Sequence, residues 1–355
     1  MRRGPLVLAW WLAALGGCGP SGSVEYTSSG GGGGLPLRNA SPRVAESRAA
    51  PAAVNASGSA AGPDAASPSD AAIPALPASV TRLRLALTPY LAEDELRQSY
   101  EPLRAWMEAS TGVPVTLSVA PTYDALADQL VAGTVDLVEF SPYAWVRALE
   151  GERALTPVVA KIADGSILSS GYIVVREETA LVRLEQLRAR KVAFVDRASA
   201  SGWLMPYDLF LLKGLKPRGD LGGVVFLGNH EAVLEAVHDG TVDAGAVYSG
   251  ALGVFMRRHG IPAHRFRVIG KTARMPRDVL AVSANAPEGL AEALRARLLP
   301  LNVLSAEGRR ALSATGANGY IPVEDGAYEV LRAAARRVAN AEEDAGVTVQ
   351  GAGAP

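Results

Sequence analysis

The sequence is poor in the residues on which several classes of protein depend. Its 355 residues include one cysteine and four histidines, too few for a disulfide framework, an iron–sulfur cluster or a multi-thiolate zinc site. The 35 lysines and arginines are balanced by 36 acidic residues, so the basic excess typical of nucleic-acid binders is missing. No Gly-x-Ser-x-Gly elbow, complete phosphate-binding loop or His-Glu-x-x-His motif is present. We therefore expect no metal or cofactor, no nucleic-acid partner and no enzymatic activity.

The one cysteine, Cys18, ends an apolar stretch near the N-terminus. Residues 5–15 follow two arginines and reach only about half-way across a bilayer core of roughly 30 Å, so they are typical of a signal peptide. Residues 15–18, Leu-Gly-Gly-Cys, resemble the lipobox of bacterial lipoproteins, which implies export and a lipid on Cys18. An ordinary signal peptide with an incidental cysteine is the alternative. Gly19 replaces the aspartate of the usual inner-membrane retention signal, so periplasmic and cell-surface anchoring both stay open.

Two further segments have compositions that do not favour folding. Residues 19–80 are rich in Gly, Ala, Pro and Ser and have few charges, and such a segment cannot bury enough apolar surface to offset the entropy lost on ordering. We interpret it as a disordered tether, and residues 346–355 as a flexible tail.

The remaining residues alternate between short apolar runs and amphipathic stretches of helical length. This alternation predicts an α/β protein with parallel strands. The predicted strands are 83–87, 115–119, 135–140, 192–195, 224–227 and 242–247. The predicted helices are 93–110, 123–132, 202–213 and 231–238.

The two halves of this region share an internal similarity. Residues 124–136, DALADQLVAGTVD, align with residues 231–243, EAVLEAVHDGTVD, at a constant offset of 107. We interpret the similarity as two lobes of one topology with a cleft between them; two unrelated helix–turn–strand units are the alternative. Asp136 and Asp243 occupy equivalent positions, which favours a repeated structural role over acid–base catalysis.

Polar residues cluster where predicted strands end and helices begin. Ser141 precedes a proline, Ser199, Ser201 and Gly202 open one helix, and His230 opens another. Unpaired backbone N–H groups and the helix dipole favour a small anion at such points, without any need for lysine or arginine. For each junction taken alone, simple helix capping is the alternative. The small residues from Ser199 to Gly202 favour ligand contact.

Several ordered motifs resemble the phosphate/phosphite/phosphonate-binding proteins of ABC transporters. Residues 192–206, VAFVDRASASGWLMP, resemble the family's Phe-Val-Asp-x-x-Ser-x-Ser-Gly segment. Residues 133–136 with 141–143 resemble its first-lobe signature, and residues 228–231 with 242–248 its second-lobe signature. The resemblance implies a type II periplasmic-binding-protein fold, an α/β fold of two lobes with a ligand cleft between them. We place lobe 1 at residues 81–162 and 270–345, and lobe 2 at residues 163–269.

The resemblance also implies roles for individual residues. Ser199, Ser201 and the amide of Gly202 would hold the oxyanion from the second lobe, with His230 as a further donor. The remaining ligand-binding residues implied are Tyr123 and Ser141 from the first lobe, and Tyr143 and Tyr248 as walls of the pocket. Four residues in three places depart from the family pattern, namely Ala200 for threonine, Ser141 for glycine, and Asn229 and Glu231 where Asn229-His230-Glu231 replaces Ser-His-Asp.

The function expected from this resemblance is that of an extracytoplasmic, lipid-anchored solute-binding protein. It would bind phosphonate, phosphite or phosphate as a monomer and deliver it to an ABC permease, with hinges near residues 158–163 and 267–272. The alternatives are the same fold binding another small organic solute, or a ligand-sensing surface lipoprotein that is not coupled to transport.

Overall fold

The computed structural model describes residues 73–151 and 153–344. The predicted signal peptide with Cys18, residues 19–72 of the predicted tether and the tail from residue 346 lie outside the described residues. Within the described part of the chain, no helix combines the length and apolar character that crossing a membrane requires.

The first lobe is built on a six-stranded mixed sheet in the order β13-β4-β12-β3-β1-β2. Its strands are β1 (Leu83–Leu87), β2 (Val115–Val119), β3 (Leu137–Phe140), β4 (Leu155–Ala163), β12 (Val279–Ser283) and β13 (Ala317–Ile321). Strands β1, β2 and β3 are parallel, whereas β12 is antiparallel to both β3 and β4. The helices that accompany these strands in the chain are α1 (Glu93–Thr111), α2 (Ala125–Val131), α3 (Pro142–Glu150), α8 (Leu290–Leu298), α9 (Ala306–Leu312) and α10 (Glu329–Asp344).

The second lobe is built on a five-stranded sheet in the order β10-β6-β9-β7-β8. Its strands are β6 (Gly171–Arg176), β7 (Lys191–Phe194), β8 (Gly223–Phe226), β9 (Ala244–Tyr248) and β10 (Phe266–Lys271). Its helices are α4 (Met205–Leu212), preceded by a wider helical turn at Ala200–Leu204, with α5 (Pro217–Asp220), α6 (His230–His238) and α7 (Ala251–His259). The parallel trio β9, β7 and β8 matches the trio β3, β1 and β2 of the first sheet.

The predicted elements lie close to the observed ones. Strands 83–87 and 115–119 have the predicted bounds, and the first helix extends one residue further, to Thr111. Helix α1 buries Leu96, Tyr100 and Leu103, the apolar face that the spacing indicates. It ends at Gly112, whose φ of +74° is a left-handed conformation that favours glycine.

The repeated aspartates have the same structural role in both lobes. Asp136 Oδ2 accepts a hydrogen bond of 2.8 Å from the backbone N–H of Arg84, near the start of β1. Asp243 Oδ2 accepts one of 2.9 Å from the N–H of Lys191, at the start of β7. In each lobe the aspartate lies just before one parallel strand, β3 or β9, and bonds to the start of its neighbour, β1 or β7. The equivalence supports the structural interpretation of the repeat.

The two sheets are connected through a short ladder. Strands β5 (Leu168–Ser169) and β11 (Met275–Pro276) belong to the two segments that pass from one lobe to the other, and they pair antiparallel. Next to this ladder, the backbone N–H of Gly171 donates to the Thr272 hydroxyl at 2.8 Å.

Two segments pack differently from the sequence-based expectation. Residues 73–80, assigned to the tether, contact the first lobe, where Leu76 and Val80 pack on its core and Pro74 accepts a hydrogen bond from Arg297 at 2.7 Å. Helix α10, assigned to the first lobe, packs on the second, since Arg337 forms a salt bridge of 2.7 Å with the buried Asp208 of α4.

Candidate functional site

A cavity of about 410 Å³ lies between the lobes, within the range of small-molecule sites. Six of the predicted ligand-binding residues line it: Tyr123, Ser141, Ser199, Ser201, His230 and Tyr248. They come from the carboxyl ends of strands and the starts of helices in both sheets, where open α/β sheets bind ligands.

Ser199 begins the helix of the second lobe and faces the cleft. Its Oγ accepts a hydrogen bond of 3.0 Å from the backbone N–H of Gly202, so the serine is an N-cap. The hydroxyl proton of Ser199 is left for another acceptor. Ser201 lies half-buried in the first turn of the same helix. Gly202 does not line the cavity, and its N–H serves the cap instead of facing a ligand as expected.

His230 is buried at the first position of α6, with Asn229 as the capping residue. Burial lowers the pKa of His230 to about 3, so its imidazole is neutral at physiological pH. Its Nδ1 lies 3.3 Å from the backbone N of Tyr248, which donates to it. Because a neutral imidazole carries a single N–H, the proton lies on Nε2, which can act as a donor.

Tyr123 contributes an unpaired hydroxyl from the first lobe. The side chain is buried, and its OH has no hydrogen-bond partner among the described residues. Burial raises the pKa of Tyr123 well above its usual value. The nearby Ser199 hydroxyl acts to lower that pKa, although the two hydroxyls do not meet the geometry of a hydrogen bond. The phenol therefore remains a neutral donor, close to Ser199 of the opposite lobe.

Ser141 has a different role from the one expected. Its Oγ donates to the backbone carbonyl of Ala198 at 3.1 Å and accepts from the N–H of Ala144 at 3.4 Å. Its only proton is therefore used in a contact between the lobes. A second contact between them joins the N–H of His230 to the carbonyl of Tyr90 at 3.1 Å.

Tyr143 does not line the cavity, contrary to the expectation that it forms a wall. It is the second residue of α3, and the Arg147 guanidinium carbon lies 5.9 Å from the centre of its ring. Tyr248 does line the cavity, and its ring packs edge-on against His230 with centroids 4.9 Å apart.

Sequence reasoning missed several charged residues of the cavity. They are Glu139, Lys161, Asp164, Arg257, Arg277 and Asp278. Burial raises the pKa of Asp278 to about 6, although Lys161 acts to lower it. The only available signal was a charged residue inside an apolar strand, as at Glu139 in the run LVEF.

Comparisons with known proteins place the chain in a family. Residues 85–328 match the family described as periplasmic phosphonate substrate-binding proteins of ABC transporters. The phosphate-import protein PhnD of Mycolicibacterium smegmatis is 27% identical over 268 residues, which cover 70% of this chain and 84% of that protein.

Two solved structures show the same fold. One is PhnD1 of Prochlorococcus marinus in complex with methylphosphonate, with a TM-score of 0.65 and 20% identity over 73% of this chain and 98% of the other. The second is a binding-protein component of an ABC phosphonate transporter from Pseudomonas aeruginosa, with a TM-score of 0.68 and 18% identity over 76% and 90% of the two chains. The predicted type II fold is therefore confirmed, and the chain belongs to the family of periplasmic substrate-binding proteins of phosphonate ABC transporters.

Proposed function

We propose that this protein binds phosphonate, phosphite or phosphate in the cleft between its lobes and delivers it to an ABC permease. The observation that carries the proposal is a set of donors in the cleft whose protons have no acceptor among the residues that the structure describes. These are the hydroxyls of Ser199, Ser201 and Tyr123 and the Nε2–H of His230. A tetrahedral oxyanion has enough acceptor oxygens to pair with all of them, and it can do so from both lobes at once.

The charges of the cavity support an anion of low charge. Three cationic side chains, Lys161, Arg257 and Arg277, line it together with three carboxylates, those of Glu139, Asp164 and Asp278. Such a balanced set does not create the strong positive field that a polyphosphate needs. Neutral donors and helix N-termini supply the binding instead.

Closure of the lobes on the ligand is the proposed functional event. The proposed hinge is the β5–β11 ladder with the segments around it, because the chain passes there between the sheets while forming two residue pairs. The positions expected from the sequence, 158–163 and 267–272, lie instead mostly in β4 and β10, within the two sheets. The bonds from Ser141 to Ala198 and from His230 to Tyr90 join the lobes beside the cavity and would stabilise a closed state.

The proposal includes a location. The family has an extracytoplasmic role, and the lipobox-like segment before Cys18 supports a lipid anchor at a bacterial membrane. Radiolabelled fatty acid should be incorporated into the full chain when it is expressed in a bacterium, and not into Cys18→Ser. Incorporation into both, or into neither, would contradict the anchor.

Calorimetric titration of the purified chain tests the ligand. Phosphate, phosphite and methylphosphonate are titrated separately, and at least one of them should bind with saturable heat. No heat from any of the three, with a thermal unfolding transition showing a folded protein, would overturn the proposed function.

A further inference from the structure

The cavity contains a buried ion pair between Glu139 of β3 and Lys161 of β4. Their side chains are 3% and 6% exposed, and Lys161 Nζ lies 3.0 Å from Glu139 Oε1. The Tyr100 hydroxyl donates to the same oxygen at 2.6 Å. Oε1 of Glu139 therefore accepts two hydrogen bonds, one of them from a cation.

The second carboxylate oxygen, Oε2, has no partner. It is buried and accepts no hydrogen bond from any residue that the structure describes. Burial alone would lower the pKa of Lys161, but Glu139 and its neighbours raise it above its usual value, so the ammonium stays charged. A carboxylate that accepts from the Lys161 ammonium and from the Tyr100 hydroxyl offers only acceptor oxygens. An unpaired buried acceptor of this kind costs free energy until a donor reaches it.

Glu139 lines the same cavity as the proposed oxyanion donors. It is two residues before Ser141 on the same strand end. Thr88 links the two, since its hydroxyl donates to the carbonyl of Glu139 at 2.8 Å and accepts from the N–H of Ser141 at 3.1 Å. The cavity thus combines several free donors with a buried acceptor, Glu139 Oε2, that takes no hydrogen bond from any described residue.

We infer that Glu139 Oε2 selects the protonation state of the ligand by accepting a hydrogen bond from a P–OH group. The inference rests on the proposed function and makes it more specific. A singly protonated phosphonate or phosphate pairs its ionised oxygens with the free donors and its P–OH with Glu139. A fully ionised tetrahedral anion such as a sulfonate would place an oxygen lone pair against the carboxylate, which is repulsive in a desolvated site.

A pair of matched ligands tests the inference on the unmodified chain. Methylphosphonate and methanesulfonate have the same shape, but only the phosphonate has a hydroxyl at a pH where it keeps one proton. We expect methylphosphonate to bind at least about tenfold more tightly, because the sulfonate leaves Oε2 unpaired. Equal affinities would leave the proposed function standing and overturn this inference. If phosphate binds and methylphosphonate does not, phosphate and sulfate are the matched pair, and equal affinities for these two overturn the inference in the same way. The proposed function itself is contradicted only if phosphate, phosphite and methylphosphonate all fail to bind.

An ammonium group on the ligand is the other conceivable donor to Glu139. 2-Aminoethylphosphonate and 2-aminoethanesulfonate both carry an ammonium group, the first together with a phosphonate and the second together with a sulfonate. If P–OH is the donor, both phosphonates bind and both sulfonates are rejected. If the two amino compounds bind alike and methylphosphonate does not, the assignment to P–OH is wrong.

Glu139→Gln identifies the residue responsible. Glutamine has the same shape but offers an N–H donor, so the preference for phosphonate over sulfonate should fall at least about tenfold. Tyr100→Phe is the control, because it removes a hydrogen bond to Oε1 of Glu139 and leaves Oε2 in place. This variant should prefer phosphonate over sulfonate as strongly as the original chain does. If Glu139→Gln does not fold because Lys161 is left buried and unpaired, Glu139→Gln with Lys161→Met removes both charges. An undiminished preference in the folded variant would overturn the inference.

Discussion

The Nδ1 atom of His230 accepts a hydrogen bond from the backbone N–H of Tyr248, and the two side chains also pack edge to face. Burial keeps the imidazole neutral, and the bond to Nδ1 places its proton on Nε2. Burial lowers the pKa of His230 from 6.5 to about 3. The same group therefore links ligand binding to stability against acid.

The first prediction concerns that stability. The folded state binds fewer protons at His230 than the unfolded state does, so its contribution is present above pH 6.5 and is lost as the pH falls from 6.5 towards 3. At pH 5 the loss amounts to about 2 kcal/mol relative to pH 8. Urea unfolding at the two pH values measures it.

His230→Asn is the control for this effect, because its Oδ1 can accept the Tyr248 bond and does not titrate. Asp278 acts in the opposite direction, since its pKa is raised to about 6 and its protonation below that value stabilises the fold. Comparing the two proteins cancels the Asp278 effect. An equal loss of stability between pH 8 and pH 5 in the variant would show that His230 is not responsible.

A second prediction separates ligand binding from capping. Ser199 and Ser305 are both N-cap serines. The Oγ of each accepts a hydrogen bond from the backbone N–H of the glycine three residues later, at 3.0 Å for Ser199 and 2.9 Å for Ser305. Replacing either by alanine should cost about 1 kcal/mol of folding free energy. Only Ser199 lines the cavity, so only Ser199→Ala should also weaken binding, by about tenfold for one lost hydrogen bond to a charged group.

Calorimetry with phosphate, phosphite and methylphosphonate, together with thermal unfolding of both variants, measures the two effects. Ser199→Ala with unchanged affinity would mean that the ligand lies elsewhere in the protein. A loss of affinity in Ser305→Ala would mean that the change comes from stability alone.

A third prediction concerns helix α10. Arg337 forms two hydrogen bonds, of 2.7 and 3.0 Å, with the buried carboxylate of Asp208. Arg337→Ala leaves that buried carboxylate without its partner. Because the Arg337 side chain is itself 47% exposed, we expect a loss of about 2 kcal/mol of stability, less than for a fully buried pair. Arg336→Ala is the control, because the Arg336 and Glu329 side chains are both more than half exposed and such a pair contributes about 0 to 1 kcal/mol. Equal losses in the two variants would contradict the importance of the bonds to the buried Asp208 carboxylate.

A fourth prediction tests the repeated aspartates. Asp136→Asn and Asp243→Asn should each destabilise the protein, by about 1 to 2 kcal/mol, because each removes a charged acceptor from a strand N–H. Neither residue lines the cavity, so affinity for the ligand should not change. Chemical unfolding and calorimetry measure both quantities. A selective loss of binding in either variant would favour a role at the site.

Local pattern was sufficient for most elements of this fold. Strand β1 and the amphipathic helix α1 lie where the sequence predicts them, because burial of one apolar face gives each element a characteristic spacing of apolar residues. Cap residues such as Ser199 and Asn229 were also recognisable, since capping is a short-range interaction. Gly202 and Tyr143 were expected at the cavity but do not line it. Whether a group faces the cleft depends on the direction in which it points, and its position along the chain does not reveal that direction.

Residue pattern alone predicted a two-lobed fold, its internal similarity and the junctions at which polar residues meet helix starts. The pairing of Glu139 with Lys161, both in the first lobe, became apparent only in the folded sheet. Their strands, β3 and β4, are not neighbours, because β12 returns from about 120 residues later in the chain and inserts between them. Strand order depends on the packing of the whole sheet, which no local period records. The charges of the cavity, unlike its hydroxyls, therefore became visible only in three dimensions.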